Sequence, residues 1–340
     1  MVSFPLSLLY RIAVGMKNFC YDKKILVPYR VGCKVISIGN ISVGGTGKTP
    51  LVKTLATLLA KTGYRIAVLS RGYGGKASKT ICVSDGNKIL STAEQSGDEP
   101  LLLAKNLPGI PVITGADRIE SAQWAEKKFQ VEVIILDDGF QHRKIHRDID
   151  ILTINAVNPR GNGMLLPGGP LREPWKNIGR SDVMVITHSD KTNTTNTLQY
   201  VIRKYSSKPI FLSRHQPVSF FTFAHKKIPL SSLKNQPIVA FSGIANPDLF
   251  HDTLFNIGCD IKEFIAYPDH HYFTKSDKKN IIRKALDKKA RFIITTEKDR
   301  ARIDQWDKKS IPLYFLKIEL TFITELPTFQ QFIENRLHPK

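Results

Sequence analysis

Short apolar runs alternate with amphipathic stretches over the first two thirds of the chain. Several runs are continuously apolar, as at residues 133–136, which is expected when helices cover both faces of a sheet. The runs predict strands at residues 33–38, 65–70, 80–83, 112–114, 133–136, 149–154 and 183–187. The intervening stretches predict helices at residues 50–62, 100–106, 117–129 and 194–205. This order predicts an α/β fold with a mostly parallel sheet.

This rhythm breaks between residues 209 and 230, where Pro209, Pro217 and Pro229 flank a short alternating stretch. We expect a hairpin-like linker there, at residues 213–232. A second α/β pattern follows, with strands at 238–242, 261–266 and 291–296 and a helix from Lys275. The predicted organisation is a first domain at residues 1–212, the linker, and a smaller second domain at residues 233–340.

The first 22 residues predict an amphipathic helix. Its apolar positions fall near helical spacing, while Arg11 and Lys17 lie off the stripe; the apolar positions are Phe4, Leu8, Leu9, Ile12, Met16 and Phe19. Arg11 interrupts the apolar run well before the roughly 20 residues that a bilayer span needs. A helix lying in a membrane interface fits this pattern, and an ordinary helix docked on the core is the alternative.

Composition and charge narrow the class of protein. The chain has 340 residues, enough for two domains, and its 42% hydrophobic content suits a globular protein. Its four cysteines are scattered and form no C-x-x-C pair, which argues against a zinc site or a disulfide framework. A formal charge of +20 favours a polyanionic partner, whether nucleic acid, anionic membrane or phosphorylated substrate. No RNA-recognition signature or zinc-finger spacing is present, so no nucleic-acid partner is expected.

One glycine-rich segment lies between a predicted strand and a predicted helix, the arrangement of a P-loop. The segment comprises Ser42, Val43, Gly44, Gly45, Thr46, Gly47, Lys48 and Thr49. Its backbone N–H groups and the helix N-terminus would bind phosphate oxygens. Lys48 would reach the β- and γ-phosphates, and the Thr49 hydroxyl would face Mg²⁺. The general pattern has glycine where this chain has Ser42.

A second constellation follows the apolar run at residues 133–136. Asp137 and Asp138 come directly after this run, as in a Walker B strand. In open α/β sheets ligands bind at the carboxyl ends of the strands, and an acid there can hold the Mg²⁺ of a bound nucleotide. Gln141 and His142 follow within four residues and add polar and titratable groups beside this position.

Three further clusters contain candidate catalytic groups. Asp98 and Glu99 stand just before a predicted helix, Arg172 and Glu173 follow a Gly/Pro-rich loop, and His270 follows a predicted strand of the second domain. Each has a structural alternative. Asp98 could be a helix cap, Arg172 and Glu173 a surface pair, and His270 a loop histidine.

Taken together, these motifs resemble the tetraacyldisaccharide 4′-kinase (lipid A 4′-kinase) family, whose members also lack the first P-loop glycine. The resemblance covers nearly the whole chain. It is carried, in order, by the segments at residues 42–50, 70–75, 97–100, 137–142, 169–174, 269–271 and 296–299.

The resemblance implies transfer of the ATP γ-phosphoryl group to the 4′-hydroxyl of a tetraacylated glucosamine disaccharide 1-phosphate. It also implies a P-loop NTPase-like α/β/α domain, a second α/β domain joined by a two-stranded linker, and ATP bound between them with Mg²⁺. The protein would attach peripherally to the cytoplasmic face of the bacterial inner membrane. An enzyme that meets its lipid in the membrane avoids extracting several acyl chains into water, at about 0.8 kcal/mol per CH₂.

The same resemblance assigns the site residues. Asp98 matches the catalytic base and His270 its partner. The other matching residues of the family's active site are Asp137, Asp138, His142 and Glu173. On chemical grounds Lys48 and Arg172 are candidates for stabilising the transferred phosphoryl group, and the candidate Mg²⁺ ligands are Thr49, Asp137, Asp138 and Glu173.

Two other functions compete with this one. A P-loop GTPase or partner-regulating ATPase is suggested by the segments at residues 187–190 and 296–299, which are imperfect versions of a guanine-reading loop. A nucleic-acid-binding ATPase is suggested by charge alone. ATP dependence, GTP selectivity or salt-sensitive nucleic-acid binding would distinguish the three.

Overall fold

The computed structural model describes residues 3–77, 79–303, 305–307 and 311–338, with the side chains described from residue 5 onward. Phe4, one of the predicted apolar positions, therefore lies outside the described side chains. The chain divides into two compact units. Unit 1 comprises Met1–His215 and Leu320–Lys340, and unit 2 comprises Gln216–Glu319.

The strands alternate with helices along most of the chain. The strands are β1 (Lys34–Gly39), β2 (Ile66–Ser70), β3 (Ile81–Ser84), β4 (Val112–Thr114), β5 (Val133–Asp137), β6 (Ile149–Asn155), β7 (Val183–Thr187), β8 (Ile210–Phe221), β9 (Lys227–Ile228), β10 (Pro237–Ser242), β11 (Asp260–Ala266), β12 (Phe292–Thr296) and β13 (Leu313–Phe322). The helices are α1 (Ser3–Asp22), α2 (Lys48–Lys61), α3 (Ala93–Ser96), α4 (Asp98–Asn106), α5 (Arg118–Phe129), α6 (Thr195–Arg203), α7 (Pro247–Ile257), α8 (Lys275–Asp287), α9 (Glu297–Arg300) and α10 (Leu326–Leu337). Short 3₁₀ helices occur at Trp175–Arg180 and Leu230–Leu233.

Unit 1 is a largely parallel sheet in the order β8-β7-β6-β1-β5-β2-β4-β3, with only β3 antiparallel to its neighbour among the described strands. Alternate residues of one strand face opposite sides. Ile36 and Ile135 pack in the core under α2 and α4, while Val35 and Ile134 pack in the core under α5. The sheet therefore lies between two helical layers, which confirms the predicted α/β class with a mostly parallel sheet.

Unit 2 has its own parallel sheet in the order β11-β10-β12-β13. Its two faces are again covered by separate apolar clusters. One contains Phe241, Ile281 and Phe315, and the other contains Phe250 and Leu254. Each unit thus has an independent hydrophobic core.

The end of the chain departs from the predicted domain boundaries. The chain enters unit 2 within β8 and returns to unit 1 within β13, and α10 packs on unit 1. Phe329, Ile333 and Leu337 of α10 are buried in the same core as Leu55 of α2. The sequence analysis placed residues 233–340 in one domain, because helix α10 was not predicted and its packing partners, Leu55 and Phe211, are more than 100 residues away.

Helix α1 forms where the amphipathic pattern predicts it. Its apolar positions from Leu8 to Phe19 are all about half exposed or more. No helix in the described residues combines the length and the apolar character needed to cross a membrane.

Candidate active site

The glycine-rich segment connects β1 to α2, as the P-loop pattern predicts. Gly47 precedes α2 with φ of 79°, and a Cβ atom at this position would lie 2.9 Å from both His215 Nε2 and Thr187 Cγ2. Only glycine fits this backbone and this contact. The tip of the loop, Val43 to Gly45, is exposed, so the first N–H groups of α2 are oriented beside an accessible surface that suits an anion.

The loop is held in place by hydrogen bonds from the strands beneath it. Asn40 Nδ2 donates to Thr46 Oγ1 at 2.8 Å and to Ser42 O at 2.6 Å. Asn155 Nδ2 donates to Gly45 O at 3.2 Å, and Thr187 Oγ1 donates to Thr46 O at 3.1 Å. These contacts fix the loop before any ligand binds, which lowers the entropic cost of binding.

The two predicted acids lie at the end of β5, next to β1. Ile38 of β1 pairs in register with Asp137. Lys48 Nζ lies 3.6 Å from Asp138 Oδ1, and Arg172 Nη1 donates to Asp138 Oδ2 at 2.7 Å. Burial acts to raise the pKa of Asp138, but Lys48 and Arg172 outweigh it and hold that pKa below its usual value. The structure thus brings Lys48, Asp138 and Arg172 together.

Asp137 is in the opposite electrostatic situation. Burial, followed by the negative charges of Glu99 and Asp138, raises the pKa of Asp137 to about 7. Its Oδ1 atom accepts no hydrogen bond from the described residues. A buried carboxylate oxygen without a hydrogen-bond partner is costly, and such an atom marks a position where a cation or a bound ligand belongs.

The sequence did not point to Arg118, the first residue of α5. Its guanidinium is buried, donates to Gly115 O at 2.6 Å and reaches Asp137 O at 3.4 Å. Burial lowers the pKa of Arg118 to about 10, which leaves it charged at neutral pH. A signal was present, since Arg118 lies on the same helical stripe as the buried Ser121, Ala122 and Ala125.

Asp98 is the first residue of α4 and is nearly fully buried. The turn before it packs tightly on the glycine loop at residues 72–75. A Cβ atom at Gly97 would lie 2.5 Å from Tyr73 O, and one at Gly75 would lie 2.5 Å from Gln95 O. The effect of Glu99 on the pKa of Asp137 places this turn beside the end of β5.

His142 follows Asp138 by four residues and lies near Arg118 and Lys17, whose charges act on it. Burial and the charges of Arg118 and Lys17 lower its pKa to about 4, so the imidazole is neutral at pH 7. Its Nε2 atom has no hydrogen-bond partner among the described residues. His142 Nε2 is thus a buried nitrogen whose hydrogen-bonding capacity the described residues leave unused.

Glu173 has a different environment from the one predicted. Its carboxylate accepts hydrogen bonds from Asn18 Nδ2, Asn177 Nδ2 and both Nη atoms of Arg180, at 2.8 to 3.0 Å. Burial acts to raise the pKa of Glu173, but these donors outweigh it and lower that pKa. Both oxygens are thus occupied by protein donors. This arrangement speaks against the predicted role of Glu173 as a Mg²⁺ ligand and gives it a structural one.

In unit 2, the two neighbouring histidines differ. His270 has φ of 62°, is partly exposed, and its Nε2 lies 3.7 Å from Asp269 Oδ2. His271 Nε2 lies 3.0 Å from Asp277 Oδ2, and its ring stacks on Tyr267. The structure therefore gives His271 a packing role. Because Asp98 belongs to unit 1 and His270 to unit 2, their pairing stays a prediction.

The two segments that suggested a guanine-reading loop are occupied by internal contacts. His188 is buried with its ring centroid 4.1 Å from that of His215. Asp299 is fully buried, accepts from Thr296 Oγ1 at 2.7 Å and lies 3.4 Å from Arg302 Nη2. His188 and Asp299 are thus withdrawn from solvent, whereas Asp190 of the first segment is exposed.

Comparison with known proteins gives one consistent result. The family model for Tetraacyldisaccharide-1-P 4′-kinase (LpxK) matches residues 1–338. A tetraacyldisaccharide 4′-kinase from Syntrophus aciditrophicus is 43% identical over 92% of this chain and 87% of that protein. One from Desulfatibacillum aliphaticivorans is 36% identical over 97% and 91%. A crystal structure of the "apo" form of LpxK from Aquifex aeolicus in complex with ATP is 32% identical, covers 98% of both chains and has a TM-score of 0.80.

Proposed function

Because this chain belongs to the tetraacyldisaccharide-1-P 4′-kinase family, we propose that it transfers the γ-phosphoryl group of ATP to the 4′-hydroxyl of tetraacyldisaccharide 1-phosphate, a step in lipid A synthesis. The observation that carries the proposal is the cluster at the P-loop. Lys48 and Arg172 both contact Asp138 at the carboxyl end of β5. A phosphoryl group that binds there meets two cations.

ATP would bind with its phosphates in the P-loop at residues 42–49. The N–H groups at the start of α2 and the charge of Lys48 suit the β- and γ-phosphates. The related crystal structure from Aquifex aeolicus, which contains ATP, supports this nucleotide.

The residues at the end of β5 fit Mg²⁺. Mg²⁺ in phosphoryl-transfer sites is held by one or two carboxylates together with substrate phosphates. Asp137, with one unpartnered oxygen, Asp138 and the half-buried Thr49 hydroxyl would provide the protein ligands. When bound, Mg²⁺ supplies charge neutralisation at the phosphates.

Asp98 would act as the catalytic base, with His270 as its partner. A sugar hydroxyl is a weak nucleophile at neutral pH, and a positioned carboxylate that accepts its proton contributes about 10²- to 10⁴-fold. Lys48 and Arg172 would stabilise the charge on the transferred group, and the neutral His142 would hydrogen-bond the substrate.

The acceptor is a lipid, so the enzyme would work at a membrane surface. The exposed apolar side of α1 and the charge of +20 suit the anionic cytoplasmic face of the bacterial inner membrane, where the protein would attach peripherally. The proposal includes no nucleic-acid partner.

The direct test is to incubate the purified protein with ATP, Mg²⁺ and tetraacyldisaccharide 1-phosphate in detergent. We expect a bisphosphorylated lipid, and we expect Asp98→Ala to remove it while ATP binding stays near normal. GTP in place of ATP tests the alternative of a GTPase. A protein that consumes ATP without labelling the lipid would contradict the proposal.

A further inference from the structure

Helix α1 has two faces of different chemistry. Leu9 and Met16 on its outward face are 63% and 62% exposed. Its other face carries the polar side chains of Tyr10, Lys17 and Asn18, and each makes a hydrogen bond to a residue more than 120 positions away. A helix that only covers a core would present apolar residues there. The polar face of α1 therefore has a different purpose.

The first contact of this face is with the backbone of Arg172. Tyr10 Oη donates to Arg172 O at 3.0 Å, and the N–H of Arg172 donates to Ile41 O at 2.7 Å. The backbone of Arg172 is thus hydrogen-bonded on one side to α1 and on the other to the residue before the P-loop. Ser7 of the same helix binds the loop that precedes Arg172: its Oγ donates to Leu165 O at 3.1 Å and accepts from the Gly168 N–H at 2.9 Å.

The second contact is with Glu173. Asn18 is 92% buried, and its Nδ2 atom donates to Glu173 Oε2 at 2.8 Å, while its Oδ1 atom accepts from Arg143 at 3.2 Å. Glu173 also binds Arg180, which donates to Phe140 O at 3.1 Å. Asn18 is therefore joined to the residue after Arg172 and, through Arg180, to the segment that follows Asp138.

The third contact reaches the P-loop. Lys17 Nζ donates to Gln141 O at 3.0 Å, and Gln141 Nε2 donates to Asn40 O at 2.8 Å. Asn40 Nδ2 in turn donates to Thr46 Oγ1 at 2.8 Å. A series of hydrogen bonds through Gln141 and Asn40 thus connects α1 to the phosphate-binding loop.

We propose that Asn18 and Tyr10 of α1 are positioning residues of the phosphoryl-transfer site, and that they act by holding Arg172 where it contacts Asp138. The proposal rests on the proposed function. It makes α1 part of the catalytic architecture as well as a membrane contact, so the helix matters to turnover even when no membrane is present.

The kinetic test uses lipid dispersed in detergent, which removes the need for membrane attachment. Tyr10→Phe deletes a single hydroxyl, and Asn18→Leu deletes the amide donor to Glu173. We expect kcat to fall about threefold and about tenfold respectively, because Tyr10→Phe loses one hydrogen bond and Asn18→Leu loses two, both with charged partners. KM for ATP should change by less than about twofold, since neither residue contacts the P-loop directly. Ala13→Ser, at an exposed position on the same helix, is the matched control and should keep the parent kcat.

A double-mutant cycle tests the route of the effect. In an Arg172→Ala background, Asn18→Leu should cause no further loss, because its effect passes through Arg172. An equal loss in both backgrounds, or a loss of the same size in Ala13→Ser, would overturn the inference.

Amide hydrogen exchange gives a readout that does not depend on turnover. Asn18→Leu should speed exchange at residues 165–173, and Ala13→Ser should not. Unchanged exchange in Asn18→Leu would refute the positioning role whatever the assay shows. Failure of the parent protein to phosphorylate the lipid, with faster exchange in Asn18→Leu, would instead refute the proposed function alone.

Discussion

Two cations meet at one carboxylate in the candidate site. Lys48 and Arg172 approach different oxygens of Asp138, and they come from sequence positions 124 residues apart. A triphosphate that enters the P-loop would compete with Asp138 for both cations. The site is therefore organised for a polyanion before the ligand arrives, which is the condition for strong electrostatic stabilisation.

Replacing Lys48 tests this arrangement. Lys48→Ala should lower turnover by at least about 100-fold, because the site loses a charge that faces the transferred phosphoryl group. Lys61→Ala, at the exposed last turn of the same helix, should leave turnover unchanged. Product formation from labelled ATP measures both, and a fully active Lys48→Ala variant would remove the P-loop assignment.

Asp137 should give the protein an unusual pH dependence of stability. Its raised pKa means that the folded protein keeps a proton that the unfolded chain releases near pH 4. The stabilisation is therefore complete below about pH 4 and is lost as the pH rises to about 7. Asp137→Asn should remove this loss and raise the free energy of unfolding at pH 8, by at most about 4 kcal/mol. Urea denaturation without Mg²⁺ or nucleotide measures it.

Asp138 is the matched control, because its pKa is lowered. Its carboxylate stabilises the fold above the unfolded pKa, and this contribution is lost as the pH falls through the lower folded value. Asp138→Asn should therefore lower the free energy of unfolding at pH 8. Shifts of the same sign in the two variants would show that the electrostatic assignment is incorrect.

Among the elements, α1 combines an exposed apolar face with a polar face that contacts the site segments. The sequence left open whether this helix enters a membrane interface or docks on the core. In the structure it docks through hydrogen bonds, and the apolar positions from Leu8 to Phe19 stay exposed. An uncovered apolar stripe on a surface helix is what an interfacial helix requires.

Polar substitutions on this stripe test membrane attachment. The double variant Leu9→Ser, Met16→Ser should weaken partitioning onto anionic phospholipid vesicles by at least about tenfold. Each of these apolar side chains would contribute about 1.5 to 3 kcal/mol when it is buried in the membrane interface. Leu286→Ser, at a similarly exposed position on α8, is the control. Sedimentation with vesicles gives the partition coefficient. Equal partitioning of all three proteins would exclude α1 as the attachment site.

On the scale of the whole molecule, the proposed catalytic pair is divided between the units. Asp98 begins α4 of unit 1, and His270 follows β11 of unit 2. Each unit has its own hydrophobic core. Turnover would then require the two units to bring these side chains together.

A double-mutant cycle tests that requirement. Asp98→Ala and His270→Ala should each lower kcat, and the double variant should lose little more than Asp98→Ala alone, since groups that act as one unit are not additive. His271→Ala is the matched control, and its loss should be additive with that of Asp98→Ala. Additive losses for His270 would show that the two residues act separately.

The pattern of the chain predicts those features that depend on neighbouring residues. The glycine-rich loop and the β5 acids each lie within one short segment, and each strand or helix of the alternation is recognised from its own residues. The loop, the acids and the alternating strands and helices of the first domain occur where predicted. Arg118 and α10 escaped prediction for a common reason. The contacts of both are with residues that are distant in the sequence. Arg118 contacts the end of β5, and α10 packs against Leu55 and Phe211.

The sequence alone determined the fold class and the family, because glycine-dependent backbone turns and acids at strand ends are local properties. Only the tertiary structure decided which charges meet. It joined Arg172 to Asp138, filled both oxygens of Glu173 with protein donors, and turned the polar face of α1 toward the site. The contacts Arg172–Asp138, Asn18–Glu173 and Tyr10–Arg172 join residues that are 34 to 162 positions apart along the chain. Spacing along a chain carries no information about which distant side chains share a hydrogen bond.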